Sequence, residues 1–300
     1  MTSITLIRNP ASGTEKDKVH AEIEAALAAH ASEYRVIELC ESTQAACHKA
    51  VVNAASRDGL VIAAGGDGTV NAVAALCHEH GARMAVIPLG TFNYFAREML
   101  VPLQPLDALE VALTGVERSV AVGFAADNLF LNNASFGIYS TLIRKREQAS
   151  SRFGRMRFVA AIASAIGLLQ GSRRFNITLT VDGHEEKRTT SLVFVGNNTL
   201  QLDNLGLEVA KCTRQDRLAV VIMKRTSRWQ MIRILFRSAT KTLKNEDRLD
   251  EFCLDRFSVD TKRHYVDVVI DGEIMRCKTP LAFEVKPASL RVIVPKQEQG

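Results

Sequence analysis

The sequence predicts an α/β N-terminal domain with a parallel sheet, followed by a mainly antiparallel β-sandwich C-terminal domain. Up to residue 115, short apolar strand patterns alternate with helical patterns, which is typical of a parallel sheet covered by helices. Beyond residue 120 short strand patterns prevail, and the pairs Asp182-Gly183 and Asp271-Gly272 are typical of hairpin turns. We therefore expect one domain at residues 1–120 and a second at residues 121–286.

The elements of the first domain follow from apolar runs and helix-forming stretches. The continuous apolar run Leu60–Ala64 is typical of a buried parallel strand. The predicted strands are Ser3–Arg8, Tyr34–Leu39, Leu60–Ala64 and Met84–Pro88. The predicted helices are Lys18–His30, Thr43–Ser56, Thr69–His80 and Thr91–Met99. Because crossover connections are right-handed, the loops after these strands should lie along one edge of the sheet.

The second domain is predicted from short strands interrupted by two basic segments. The strands are Leu129–Ala134, Asn176–Val181, Ser191–Val195, Leu218–Met223, Tyr265–Ile270, Ala282–Val285 and Leu290–Val294. The net charge of +5 is uneven, because Leu142–Phe175 carries +7 and Lys224–Arg248 carries +6, which leaves −8 for the rest. Both segments are predicted to contain basic amphipathic helices. They suit either an anionic membrane surface or packing on the sheet with a basic face exposed. No nucleic-acid motif accompanies the charge, so we expect no nucleic-acid partner.

Composition excludes several classes of protein. With 47% hydrophobic and 24% charged residues among 300, the chain is neither disordered nor collagen-like. Phe158–Leu169 is too short for a membrane span of roughly 18 residues, and Met1–Ile7 lacks the layout of a signal peptide. The six cysteines form no C-x-x-C pair, which favours reduced thiols over a disulfide framework. We therefore expect a cytoplasmic protein, with peripheral contact at the inner face of the membrane left open.

Three glycine-containing loops follow predicted strands of the first domain. They are Asn9–Gly13, Gly65–Thr69 leading to Asn71, and Pro88–Asn93. Glycine allows close approach of the backbone to a ligand, and a helix N-terminus favours an anion such as phosphate. Asp67 would repel a phosphate unless a divalent cation lies between them. The sequence has neither the P-loop pattern nor G-x-G-x-x-G. Tight βα turns without a ligand are the alternative, and three such loops at one edge count against it.

The loops resemble those of the diacylglycerol kinase catalytic-domain family, which includes bacterial soluble lipid kinases, sphingosine kinases and ceramide kinase. The resemblance rests on Asn9-Pro10-x-Ser12-Gly13, on the Gly65–Asn71 loop and on Pro88-Leu89-Gly90-Thr91-x-Asn93. It continues through Phe130–Gly137, Val195–Asn198 and Asp271–Glu273, so it spans essentially the whole chain. It implies a fold like that of NAD kinase and diacylglycerol kinase, with the last strand, residues 287–300, returning to the first domain.

The resemblance implies a Mg²⁺- and ATP-dependent phosphotransferase that acts on a lipid hydroxyl of the diacylglycerol type. The implied ATP-binding residues are Asn9, Ser12, Gly13, Gly65, Gly66, Asp67, Gly68, Thr69, Asn71, Gly90 and Thr91. Glu273 corresponds to the general base of the family. Asp271 is a second carboxylate that would either support Glu273 or share its metal network, and Asp67 is the carboxylate in the Gly65–Thr69 loop. A carboxylate within hydrogen-bond reach of the acceptor hydroxyl supplies the proton transfer that phosphoryl transfer requires. Without the resemblance, Asp271-Gly272-Glu273 would be interpreted as a plain hairpin turn.

The family also holds a structural Mg²⁺ in a turn of pattern Asp-Gly-x-Leu. The matching residues are Asp216, with the carbonyls of Thr213 and Leu218 as companions. Arg217 stands where the family has glycine. A surface turn that holds no metal is therefore as good an interpretation as a Mg²⁺ site.

Two departures from the family concern the acceptor. Tyr94 stands where the family commonly has aspartate, and Ala121 stands in the Val-Asp-x-Gly pattern where the family has aspartate. Either the acceptor differs from diacylglycerol or catalysis is weak. An NAD kinase-like small-molecule kinase and a nucleotide or lipid sensor without catalysis are the alternatives, and homodimer formation is left open.

Overall fold

The structure is a computed structural model that describes residues 3–13, 16–30, 33–137, 175–224, 226, 230, 233–234 and 246–296. Contacts divide the chain into two compact units, one formed by Met1–Val122 with Lys286–Gly300 and the other by Gly123–Val285. Within these described ranges, no helix has both the length and the apolar character that crossing a membrane requires. Of the two basic segments predicted as helical insertions, the first lies almost entirely and the second mostly outside the described residues.

The first unit contains a parallel sheet with helices between its strands. Its strands are β1 (Ile4–Arg8), β2 (Tyr34–Glu38), β3 (Leu60–Gly65) and β4 (Arg83–Pro88), in the order β2-β1-β3-β4. Its helices are α1 (Lys16–His30), α2 (Gln44–Ser56), α3 (Asp67–His80), α4 (Tyr94–Glu98) and α5 (Pro105–Thr114), with a 3-10 turn at Glu41–Thr43. All three pairings among these strands are parallel. The predicted α/β architecture is therefore confirmed.

Burial explains why this sheet forms. Every residue of β3 is buried, as expected for a continuous apolar strand covered on both faces. Helix α3 buries Val70, Val73 and Cys77, which recur every three to four residues and so share one face. The helix ends at Gly81, whose φ of +68° is the left-handed conformation that terminates many helices.

The second unit consists of antiparallel strands. They are β6 (Asn128–Phe130), β7 (Asn133–Gly137), β8 (Phe175–Val181), β9 (His184–Thr190), β10 (Leu192–Gly196), β11 (Leu218–Met223), β12 (Leu249–Leu254), β13 (Arg256–Thr261), β14 (Tyr265–Ile270) and β15 (Glu273–Lys278). One sheet has the order β12-β11-β10-β7-β14-β15, and the other contains β13-β8-β9. Two short helices, α6 (Thr199–Leu205) and α7 (Ala210–Thr213), follow β10. The predicted antiparallel β-sandwich is confirmed.

Two long strands contribute to both units. Strand β5 (Val116–Ala125) pairs with β6 and with β16 (Leu281–Val294). The first part of β16 pairs antiparallel with β13, and its last part pairs parallel with β4 through Arg291 and Val292. The sequence predicted Ala282–Val285 and Leu290–Val294 as separate strands, whereas the structure has one continuous strand.

Both predicted hairpins are present. Asp182 and Gly183 connect β8 to β9 with φ values of +49° and +81°, and Asp271 and Gly272 connect β14 to β15 with φ values of +45° and +96°. Positive φ at both central residues matches the right-handed twist of the strands, and Asp-Gly adopts it readily.

Three of the differences from the predicted elements have a structural cause at the candidate site. The helix predicted from Thr91 begins only at Tyr94, because Asn93 has a φ of +51° and cannot continue a right-handed helix. Helix α3 begins at Asp67, two residues earlier than predicted, so the second loop is shorter. The predicted strand Leu129–Ala134 is divided into β6 and β7, since the backbone between them turns toward Asp271.

The cysteine prediction was wrong for one pair. Cys212 of α7 and Cys253 of β12 form a disulfide, whereas Cys40, Cys47 and Cys77 are free, as is Cys277. The two half-cystines are 41 positions apart and both belong to a buried apolar cluster that includes residues of β11. Their spacing carries no motif, because α7 packs on β11 and β12 pairs with β11, which brings the two cysteines together.

Candidate active site

The three glycine-containing loops lie at the carboxyl ends of β1, β3 and β4, which are neighbours in one parallel sheet. Backbone hydrogen bonds join them. The N–H of Asn9 donates to the carbonyl of Ala64 at 3.0 Å, and the N–H of Leu89 donates to the carbonyl of Gly65 at 2.8 Å. The structure therefore brings the predicted nucleotide-binding loops together at one sheet edge, as ligand sites of α/β sheets usually are.

Glycine is required where the second and third loops meet. A Cβ on Gly65 would lie 2.5 Å from the Cβ of Thr69, and a Cβ on Gly90 would lie 2.7 Å from the Cα of Gly66. A Cβ on Gly66 would be 3.4 Å from the Cα of Gly90, which is ordinary contact. Gly65 and Gly90 are therefore required for the loops to pack closely against each other. Gly66 is half-buried and its backbone is accessible.

Asp67 is the first residue of α3 and is half-buried. Its Oδ2 accepts a hydrogen bond from the backbone N–H of Asn93 at 2.9 Å. Burial raises the pKa of Asp67, while hydrogen bonds from the backbone N–H groups of Asn93, Tyr94 and Phe95 act in the opposite direction. A carboxylate that loses hydration in this way gains from a bound cation, so this donor suits Mg²⁺.

Asn93 organises the third loop, a role that the sequence motif contained but did not assign. Its Oδ1 accepts from the N–H of Gly90 and its Nδ2 donates to the carbonyl of Gly90, each at 2.9 Å. Its φ of +51° is a conformation that asparagine tolerates better than most residues. The sequence signal for this role was therefore an asparagine that stands three positions after a glycine at the end of a strand.

The first loop is held by Asn9. Its Oδ1 accepts from the N–H of Ala11 at 2.8 Å, its carbonyl accepts from the N–H of Ser12 at 3.0 Å, and its Nδ2 donates to Oγ1 of Thr69 at 3.3 Å. Gly13 follows with a φ of +100°. Thr69 is buried, so Asn9 and Thr69 act on the shape of the loops. Among the predicted nucleotide-binding residues, those that are partly or fully exposed are Asn9, Ser12, Gly13, Gly66, Asp67, Gly68, Asn71, Gly90 and Thr91.

Tyr94 lies beside Asp67 where the family commonly has an aspartate. Its pKa is raised by burial and then by the negative charge of Asp67. Its ring stacks on Phe92, with ring centroids 5.6 Å apart and planes 6° from parallel. Phe92 is 47% exposed, so the third loop presents an aromatic surface to solvent.

His20 is a residue near the first loop that sequence reasoning left unassigned. It lies on α1, is buried, and is close to the backbone of Ser12 and Asn9. Burial lowers its pKa, and the positive charge of Arg8 lowers it further. We found no sequence signal that distinguishes this histidine from the other six.

In the second unit, Asp271 stabilises a backbone turn. Its Oδ2 accepts from the N–H of Leu131 at 2.7 Å, and its Oδ1 accepts from the N–H groups of Asn132 at 2.9 Å and Asn133 at 2.8 Å. The N–H of Asp271 in turn donates to the carbonyl of Asn133 at 2.9 Å. Asp271 therefore fixes the connection between β6 and β7, which explains why this stretch is not one strand.

Glu273 has a different environment from Asp271. It is the first residue of β15, opposite Ile270 in the hairpin, and its side chain is exposed. The hairpin thus presents one carboxylate that is engaged by backbone donors and one that faces solvent. Only the second is accessible to a substrate hydroxyl.

Buried and half-buried amides support this hairpin. Asn198 donates through Nδ2 to Oδ1 of Asn132 at 3.0 Å, and Asn197 donates through Nδ2 to the carbonyl of Leu131 at 3.2 Å. Oδ1 of Asn198 also caps α6 by accepting from the N–H of Gln201 at 2.8 Å. These asparagines belong to the motifs at 130–137 and 195–198, and the structure assigns them to the scaffold under Asp271.

The turn predicted to hold a structural metal precedes β11. The carbonyl of Thr213 accepts from the N–H of Asp216 at 3.2 Å, and Asp216 is exposed with a φ of +54°. Leu218, the first residue of β11, is fully buried. Arg217 points to Asp255, to which its Nε donates at 2.7 Å. One carboxylate and two carbonyls on a short turn are hard oxygen donors, which suit Mg²⁺ or Ca²⁺ in type.

Comparison with known proteins identifies the family. Residues 3–125 match the diacylglycerol kinase catalytic domain, and residues 132–294 match the YegS C-terminal NAD kinase beta sandwich-like domain. The chain therefore belongs to the diacylglycerol kinase catalytic-domain family, as the sequence motifs predicted.

Individual relatives agree with this assignment. A protein of Pseudomonas aeruginosa (strain PAO1) named "Probable lipid kinase YegS-like" is 31% identical over 176 residues, 54% of this chain and 55% of the relative. A protein of Bacillus subtilis named "Diacylglycerol kinase" is 34% identical over 148 residues, 46% of each. The chain thus spans about half the length of these curated relatives. A crystal structure described as a diacylglycerol kinase from Bacillus anthracis shares the fold, with a TM-score of 0.74 at 24% identity over 97% of this chain and 96% of that one.

Proposed function

We propose that this protein is a lipid kinase that transfers the γ-phosphoryl group of ATP to a lipid hydroxyl, with Mg²⁺ as cofactor. The observation that carries the proposal is the half-buried Asp67, held by the backbone of Asn93 where three glycine-containing loops meet. Family membership supports a phosphotransferase, and the names of two relatives point to lipids.

The loops would bind ATP mainly through their backbone. N–H groups of Gly13, Gly66 and Gly68 suit phosphate oxygens, the hydroxyl of Ser12 would add a side-chain donor, and the N-terminus of α3 adds the positive end of a helix dipole. Asn9, Gly65, Thr69 and Gly90 would keep these loops in register through the contacts described above. Asn71 and Thr91 complete the proposed nucleotide-binding set.

Asp67 would hold Mg²⁺ at the phosphates. The bound cation would neutralise negative charge that builds up during transfer, which is its usual contribution in phosphoryl transfer. Oδ2 of Asp67 is fixed by Asn93, which orients the carboxylate before ligand arrives. The turn with Thr213, Asp216 and Leu218 remains our proposal for a separate structural Mg²⁺.

Glu273 would act as general base. Its carboxylate would accept the proton of the acceptor hydroxyl while that oxygen forms a bond to the γ-phosphorus and the bond to the β-phosphate oxygen breaks, releasing ADP. Asp271, which we expected as a second catalytic carboxylate, is better suited to positioning Glu273, because both of its oxygens accept backbone N–H groups.

The acceptor would be an amphipathic lipid alcohol, with diacylglycerol as the first candidate. Tyr94 favours an acceptor that differs from that of relatives with aspartate at this position, since an uncharged ring replaces a carboxylate beside Asp67. We further propose a cytoplasmic protein that contacts anionic membranes peripherally through its basic segments, without a nucleic-acid partner. A homodimer is compatible with this proposal.

The test is a product screen with radiolabelled ATP, Mg²⁺ and either a cellular lipid extract or NAD. We expect label in an organic-phase phospholipid, lost in Glu273→Gln and kept in Glu185→Gln, an exposed glutamate of the other predicted hairpin. Label that appears only in NADP would instead establish the NAD kinase alternative. ATP binding without any labelled product from either pool would indicate a sensor.

A further inference from the structure

Two imidazole rings converge at the far end of α3 from the proposed nucleotide site. His48 of α2 and His80 of α3 have their Nε2 atoms 3.0 Å apart, with ring centroids 4.7 Å apart and planes at 87°. Glu79 places Oε2 3.9 Å from Nε2 of His80. One ligand atom from each of these three side chains lies within 4.8 Å of the others.

The donor set is that of a transition-metal site. Imidazole nitrogen and carboxylate oxygen bind Zn²⁺ at about 2.0–2.2 Å, so two nitrogens on a tetrahedral ion lie about 3.3 Å apart. The separation of 3.0 Å between the two Nε2 atoms is within a few tenths of an ångström of that value. The side chain of Glu79 is 63% exposed, so it can rotate to shorten its distance. A water molecule would complete four-coordination.

Without a metal, the two rings can share only one hydrogen bond between their Nε2 atoms. Only one proton fits between two nitrogens 3.0 Å apart, so at least one ring must be neutral and accept it. A divalent metal is bound by both rings in their neutral form, and the adjacent carboxylate offsets its charge. We propose that His48, Glu79 and His80 form a Zn²⁺ site that fastens α2 to α3.

The site is distinct from the proposed nucleotide site. His80 is the last residue of α3 and Asp67 is its first, so about 20 Å of helix separates them. Zinc here would join the second turn of α2 to the last turn of α3. It therefore stabilises the folded state by mass action and takes no part in phosphoryl transfer.

Isothermal titration of the untagged full-length chain with ZnCl₂ tests the site. We expect one saturable ion per chain, with affinity reduced at least about tenfold in His48→Ala and in His80→Ala, since even the partner of a metal ligand contributes about 10–100-fold. Glu79→Gln should weaken binding less. At Zn²⁺ about 100-fold above the Kd, the melting temperature should rise by about 5 °C, and EDTA should reverse the shift.

Two control variants distinguish this site from other zinc ligands. His30→Ala removes an exposed histidine at the end of α1, and Cys40→Ser removes an exposed free thiol. Both should leave the affinity unchanged. Absence of saturable binding, or equal affinity in His48→Ala and the wild type, would overturn the proposal and leave the two rings as a hydrogen-bonded pair.

Discussion

The backbone N–H of Asn93 donates to Oδ2 of Asp67 at 2.9 Å, although the two residues are 26 positions apart. This bond joins the third loop to the first turn of α3. It fixes the carboxylate that we propose for Mg²⁺, and it depends on the left-handed backbone of Asn93. The proposed cation site is therefore built by a residue that need not touch the cation.

Asn93→Ala should disrupt this arrangement. Alanine loses both hydrogen bonds to Gly90 and tolerates positive φ less well, so we expect a loss of about 2–3 kcal/mol in unfolding free energy and at least about tenfold weaker binding of a non-hydrolysable ATP analogue. Thermal unfolding and calorimetric titration measure the two effects. Asn53→Ala, an exposed position on α2, is the matched control and should change neither. Unchanged nucleotide affinity in Asn93→Ala would refute the proposed role.

Asp67→Asn should raise stability while it lowers Mg²⁺-dependent binding. The folded-state pKa of Asp67 is raised from 3.8, so the folded chain disfavours the charged form and loses stability as pH rises from 3.8 through the raised value. Asparagine removes this cost and can still accept the N–H of Asn93. We expect a higher melting temperature at pH 7, and a difference from wild type that shrinks toward pH 3.8.

Melting temperatures measured with and without Mg²⁺ and the ATP analogue distinguish the expected gain in stability of Asp67→Asn from its expected loss of Mg²⁺-dependent binding. Addition of Mg²⁺ with the ATP analogue should raise the melting temperature of the wild type more than that of Asp67→Asn, because only the wild type supplies a carboxylate to the ion. A lower melting temperature for Asp67→Asn without ligand would show that burial of the charge is not a cost to the fold.

Gly65→Ala and Gly66→Ala should have different consequences. The new Cβ at residue 65 would lie 2.5–2.7 Å from three atoms of buried Thr69, so we expect a loss of about 1–3 kcal/mol in unfolding free energy. At residue 66 the nearest atom is 3.4 Å away, so the fold should be kept while the methyl group hinders approach of a phosphate. Urea unfolding and ATP-analogue titration test the pair. Equal destabilisation by both substitutions would contradict this division of roles.

Local patterns in the sequence were sufficient to predict the fold class and several elements. Strands β11 and β14 were predicted with correct bounds, because each is an apolar run that ends at a turn. The loops at 9–13, 65–69 and 88–93 were also found, since glycine after a buried strand is a local signal. Their roles in binding and catalysis remain predictions.

Contacts between distant residues could not be predicted. The bond from Asn93 to Asp67, the three N–H groups that Asp271 accepts from about 140 positions away, and the pairing of Cys212 with Cys253 all depend on how strands are ordered in the sheets. A local sequence pattern does not determine the order of strands in a sheet. This is why the sequence left open whether Asp271 supports Glu273 or shares its metal network, whereas the structure shows both oxygens of Asp271 bound to backbone N–H groups.

Asp271→Asn should therefore affect stability, and Glu273→Gln should affect only turnover. Asparagine keeps one acceptor oxygen and turns an NH₂ group toward an N–H, so we expect a loss of about 1.5–3 kcal/mol in unfolding free energy. Asp182→Asn is the matched control, because Asp182 occupies the same turn position in the β8–β9 hairpin and is exposed. Thermal unfolding of Asp271→Asn that matches Asp182→Asn would contradict the scaffold role.

His20 should make the stability of the chain depend on pH. Its folded-state pKa is lowered below 6.5 by burial and by Arg8, so the unfolded chain binds a proton more readily than the folded chain. Stability is therefore fully present above about pH 6.5 and is lost as pH falls below that value toward the lowered pKa. His20→Gln should flatten the dependence of the melting temperature between about pH 7.5 and pH 5.5, whereas His30→Gln, at the exposed end of the same helix, should leave it as in the wild type. If His20→Gln retained the full wild-type loss of stability on acidification, another group would be responsible.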